Sequence, residues 1–202
     1  PSSYLPALMF PLVGSMGLPV SLFAFGDSGR ALALVYFAIG ILGTFTVGDA
    51  IAAGKVSIAR LARTPAIYAV VIAVGMEIAH VDLPVWAVNT AKLLGGIVIP
   101  AQLIALGIAL TKLKVTSLRR SLGLGCLRLA MGLAVGVGAA EAFGLAGVEW
   151  SIVVIQSSMP VAVSSYLFAE LHRRAPEEVA GMVLVSTAIS FATLPLLLLF
   201  VM

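Results

Sequence analysis

The chain has 202 residues, of which 61% are hydrophobic and 10% charged, and its mean hydropathy is +1.14. A soluble domain carries about 25% charged residues, so this chain cannot cover a globular surface in water and belongs in a bilayer. The net charge is +3, but the basic residues fall in short clusters between apolar runs, which argues against a nucleic-acid surface.

Long apolar runs without two-residue alternation exclude a membrane β-barrel and leave helices, the other structure that satisfies its own backbone in lipid. A helix needs about 20 apolar residues to cross the hydrocarbon. Seven segments qualify as predicted spans: Tyr4–Phe25, Ala31–Ala53, Pro65–His80, Trp86–Leu110, Ser121–Phe143, Trp150–Ala169 and Val179–Met202. The third is short and extends toward Trp86. The sequence begins at Pro1 with neither Met nor a charged leader, unlike a signal peptide, and reads as the cut end of something longer. An odd number of spans from such an end suggests missing helices upstream.

The first span contains Val13-Gly14-Ser15-Met16-Gly17-Leu18-Pro19, poor material for a helix interior. The sixth contains Ile155-Gln156-Ser157-Ser158-Met159-Pro160-Val161. Both pass through Ser-Met and Pro-Val, and each leads through a short charged loop into one more apolar span. If seven spans hold, the two copies run in opposite directions. Paired Gly/Pro-interrupted helices in inverted copies mark a carrier's binding site, so breaks are predicted at Gly14–Pro19 and Gln156–Pro160. Half-helix ends there offer N–H groups and a positive dipole to an anion, or carbonyls to a cation.

Orientation follows from the loops. Lys55, Arg60, Arg63, Lys112, Lys114, Arg119, Arg120, Arg173 and Arg174 share one side, against Arg30 alone on the other, beside Asp27, Asp82 and Glu149. That asymmetry predicts a cytoplasmic N-terminal end, an external C-terminus and residence in the cell inner membrane.

Three stretches resemble the auxin efflux carrier family, which includes bacterial malonate/malate permease-like proteins: FPLVGSMGLPVSLFAFG, IPAQLIALGIAL, and SSMPVAVSSYLFAE followed by PEEVAGMVLVSTAISFATLPLLL. The resemblance implies an all-α integral membrane protein, its seven transmembrane helices corresponding to helices 4–10 of a ten-helix inverted-repeat transporter with two broken crossover helices. Residues 1–54 would then close the first repeat, and residues 65–202 would form the second, as 65–84, 86–111, 121–143, the broken 150–170, and 179–202. It also implies organic acids moved as anions. Leu12 and Ser15 stand where the family pattern has asparagines.

The expected function is therefore a secondary carrier, an efflux protein or permease, for small organic anions. The substrate site would involve Gly14, Ser15, Gly17, Pro19, Gln156, Ser157, Ser158 and Pro160. Glu77, Lys92 and Gln102 are candidates for ion coupling to a proton or sodium, and the competing reading is a Glu77–Lys92 pair that holds two helix ends. Arg128 is expected to snorkel toward the cytoplasmic end, and Asp49 to serve a helix end. The single Cys126 cannot form an intramolecular disulfide, and its apolar surroundings predict packing. No His-Glu-x-x-His, Gly-x-Ser-x-Gly or phosphate-binding loop occurs, so neither an enzyme nor a cofactor or metal is expected. The partners are the lipid bilayer and the anion, without nucleic acid, and a homodimer is open to it. A sodium-coupled bile-acid-type symporter and a non-transporting receptor are the alternatives.

Overall fold

Pro11 decides where the first helix stops. A residue before proline is pushed out of the α region, and proline offers no N–H. Phe10 is accordingly extended, at φ −101° and ψ 116°, and ends the short helix α1, Leu5–Met9. The computed structural model describes residues 4–48, 50–51, 65–79, 81, 83–112, 117–173 and 175–202. Asp49, the basic loop 52–64, Asp82, Lys114 and Arg174 lie outside them, as do the side chains of Glu77 and Gln102.

After the break, a π-turn at Val13–Gly17 leads into α2, Leu18–Gly43, and a second π-turn follows at Thr44–Gly48. Val13–Gly48 is an apolar stretch of 36 residues. A straight helix of that length would run about 54 Å, against a hydrocarbon core of about 30 Å. It does not run straight: Gly26, at φ 63° and ψ −148°, turns the chain where a side chain would be strained. Asp27 and Arg30 pair at 2.9 Å just beyond the turn.

The remaining helices are α3, Pro65–Ile78; α4, Val85–Lys112; α5, Leu118–Ala142; α6, Gly147–Ser157; α7, Val163–Leu171; and α8, Pro176–Val201. Among the described residues there is no strand, and three stretches are long and apolar enough to cross a bilayer: Val13–Gly48, Leu118–Ala142 and Pro176–Val201.

Small residues bring the central helices together. The buried face of α5 reads Ser121, Gly125, Arg128, Gly132, Gly136, Ala140, a helical spacing of three and four. A Cβ on Gly132 would lie 2.2 Å from the Ser157 carbonyl oxygen, and one on Gly136 would lie 2.8 Å from Ser157 Cβ. The backbones of α5 and α6 can approach only because these positions lack side chains. Gly125 faces Ser186 of α8, where a Cβ would lie at ordinary contact distance, 3.4 Å from its backbone N. Leu12, Met16, Ile155, Met159 and Leu194 form one buried cluster around the two interrupted segments. The outward faces carry Phe23, Leu196 and Leu199, all strongly exposed, as lipid contact requires. Cys126 does not pack: it lies on the exposed side of α5.

Candidate functional site

Two interrupted helices meet backbone to backbone. Pro11 and Val161 form an isolated antiparallel bridge. The Leu12 N–H donates to the Pro160 carbonyl at 2.8 Å, and the Ala162 N–H donates to the Phe10 carbonyl at 3.2 Å. The Val161 N–H reaches Ser186 Oγ at 3.1 Å, and the Gly17 N–H reaches the Leu12 carbonyl at 3.3 Å. Each break therefore satisfies the groups freed by the other, as backbone at membrane depth must.

The breaks are displaced from the predicted positions. The first falls at Phe10–Leu12, not at Gly14–Pro19. Gly14 and Gly17 lie inside the π-turn, and Pro19 stands near the start of α2, where helical dihedrals run on from the π-turn without a break. The second break covers Ser158–Ala162, while Gln156 and Ser157 close α6. Pro160 sits in the break itself.

On one side of the bridge, two helix N-termini open into one cavity of about 240 Å³. Val13, Gly14 and Ser15 line it from the π-turn, Val163 and Ser164 from α7, and Phe37, Gly40, Ile41, Thr44 and Phe45 from the facing segment. Neither N-terminus has a side-chain cap: Leu12 and Ala162 stand at the cap positions. The leading N–H groups of each segment thus lack intrahelical acceptors, and each end carries a partial positive charge. Among the described residues, no carboxylate lines this cavity.

The other side of the bridge is built from helix C-termini. A cavity of about 250 Å³ is lined by Leu8 and Met9 of α1, Pro11, Tyr36, Ser157 at the end of α6, and Arg128, Met131, Gly132 and Val135 of α5. The Tyr36 hydroxyl and Ser157 Oγ are hydrogen-bonded at 2.8 Å. Arg128 does not snorkel. Its residue is 3% exposed, and Nη2 donates to the Ser157 carbonyl at 3.2 Å, while Nε has no partner.

The other predicted site residues divide by position. Gly17 and Gln156 come together, since a Cβ on Gly17 would fall 2.0 Å from Gln156 Oε1. Gln156 is fully buried, donates through Nε2 to Ser21 Oγ at 3.1 Å, and leaves Oε1 unpaired. Ser158 turns its hydroxyl back to the Val154 carbonyl at 2.7 Å and borders an apolar groove between α5 and α8. Lys92 is exposed on α4, away from both cavities. Arg128 and Tyr36 were missed as site residues. The signal for Arg128 was present: it shares a helical face with Gly125, Gly132 and Gly136.

A family model described as membrane transport protein matches residues 50–198. No curated protein matches the chain, and no solved structure does. The matched region spans α3 to nearly the end of α8 and includes the second break, whereas the first break and most of the lining of the N-terminal cavity lie before it. The chain thus belongs to the membrane transport protein family, the auxin efflux carrier family, and is a multi-pass membrane transporter.

Proposed function

We propose that this transporter is a secondary carrier of small organic acid anions, working by alternating access around the Pro11–Val161 crossing. The observation that carries this reading is the convergence of two uncapped helix N-termini on one cavity of about 240 Å³ that no carboxylate lines among the described residues. Each N-terminus supplies roughly half a positive charge and free N–H donors, which suits a carboxylate without a full cation in the site. Ser15, Thr44 and Ser164 add hydroxyls at the wall. A volume of about 240 Å³ lies below the range of about 300–1,000 Å³ typical of drug-sized ligands, so the substrate is small.

Of the predicted binding residues, Gly14 and Ser15 belong to this anion site. Gly17, Pro19, Gln156 and Pro160 shape the crossing, and Ser157 serves the opposite cavity. A second cavity beyond the bridge supports alternating access, because rocking about the crossing would open one side as the other closes. The inverted-repeat organisation, a basic cytoplasmic face and residence in the inner membrane belong to the same proposal. The test is uptake of labelled mono- and dicarboxylates by the full chain in proteoliposomes, with and without a pH gradient. Saturable uptake of at least one organic acid is expected. Uptake of none of them, or of cations instead, would overturn the reading.

A further inference from the structure

We propose that Arg128 is a tethered cation, holding the place at the crossing where a carrier of this architecture would otherwise bind a mobile one. The inference rests on the carrier reading above, and it concerns the side of the crossing opposite the anion. In carriers with interrupted helices, half-helix C-termini and unwound carbonyls coordinate sodium or protons. Here the last four carbonyls of α6 can be accounted for one by one. Val154 accepts from the Ser158 N–H at 3.1 Å and from its hydroxyl at 2.7 Å. Ile155 accepts the same N–H at 3.1 Å, and Gln156 accepts the Met159 N–H at 3.4 Å. The fourth, Ser157, accepts among the described residues only from Arg128 Nη2, at 3.2 Å.

The guanidinium therefore sits at the negative end of the α6 dipole, worth roughly half a charge. The end of α1, at Met9, lines the same cavity. No carboxylate lines it, and Arg128 has no acidic partner among the described residues. Burying an arginine this way is costly unless fixed dipoles replace its water. Arg128 is unsuited to bind the substrate itself, because an anion drawn to this cavity would face the carbonyl ends of two helices. The fit is built into the backbone: a Cβ on Gly132 would lie 2.5 Å from Nη1.

With the positive charge supplied covalently, the crossing needs no sodium. Removing the guanidinium should leave an unpaired carbonyl and a void that accepts a small cation. The experiment is thermal unfolding of the purified full chain in equimolar sodium chloride or choline chloride, with and without dilute guanidinium. The wild type should unfold at the same temperature in both salts. Arg128→Ala should unfold several degrees lower in choline and recover with sodium or guanidinium, whereas the neutral Arg128→Met should be destabilised and respond to neither. A saturable rise of the wild-type midpoint with sodium would overturn the proposal. So would full stability of Arg128→Met, which would leave Arg128 only a packing role, or failure of every cation to restore Arg128→Ala. If the variants do not fold, the wild-type comparison still decides. No substrate enters this measurement, so its failure leaves the carrier reading standing, and failed uptake leaves its result intact.

Discussion

Gly17 leaves room for the Gln156 side chain between the two interrupted segments. Gly17 has helical dihedrals, φ −65° and ψ −44°, so alanine would suit its backbone. What forbids it is that its Cβ would fall 2.0 Å from Gln156 Oε1. Gly17→Ala should therefore destabilise by about 1–3 kcal/mol, the usual cost of overpacking, partly offset by about 1 kcal/mol of helix propensity. Adding Gln156→Ala should recover most of the loss, and a double-mutant cycle in thermal unfolding checks it. Strict additivity would mean that the contact does not exist. The serines separate in the same manner. Ser158 spends its hydroxyl on its own helix, so Ser158→Ala should leave KM unchanged. Ser15→Ala or Ser164→Ala removes a hydroxyl from the N-terminal cavity. Either should raise KM by roughly 2- to 13-fold, equivalent to about 0.5–1.5 kcal/mol for one hydrogen bond.

The prolines carry the argument at the level of elements, and position decides what each one does. Pro160 lies in the break between α6 and α7, and its carbonyl accepts the Leu12 N–H. Pro160→Ala returns an N–H and relieves a clash worth about 3 kcal/mol in a helix, favouring one continuous helix at the expense of the bridge. The variant should insert and unfold no lower than wild type, while uptake falls. Pro11→Ala should behave alike. Pro19→Ala should transport normally, because Pro19 makes no bond of the bridge. Equal uptake by all three variants would mean that the bridge is not part of transport. The same distinction explains what sequence could reveal. Two interruptions were legible from paired Gly/Pro clusters, but their registers were not. Gly14 and Gly17 have the composition of breakers, yet a π-turn absorbs them and Gly17 is needed for close packing. Arg128 was misjudged because snorkelling is a property of exposed faces, and which face of α5 is buried depends on where α6 and α8 pack.

At the scale of the whole molecule, polar contacts collect at two opposite ends and set a direction across the bilayer. At one end Arg120 of α5 pairs with Glu178 of α8 at 2.8 Å, and Glu178 also accepts the Tyr4 hydroxyl, tying the starts of three helices together. At the other end Trp150 Nε1 donates to Glu141 at 3.0 Å, and Ser151 Oγ donates to the Val201 carbonyl at 2.8 Å. The first end carries Arg119, Arg120 and Arg173, and the second carries Glu141 and Glu149. Cytoplasmic loops collect Lys and Arg, so the Tyr4–Arg120–Glu178 end should face the cytoplasm. Ser117 precedes α5 and Leu145 follows it, so single cysteines at these positions bracket one crossing. The native Cys126 must first be replaced, as Cys126→Ala, because it is exposed. With a membrane-impermeant maleimide applied to intact spheroplasts, Leu145→Cys should label directly and Ser117→Cys only after permeabilisation. The reverse pattern would invert the molecule in the membrane. Labelling of both from outside would mean that α5 does not cross at all.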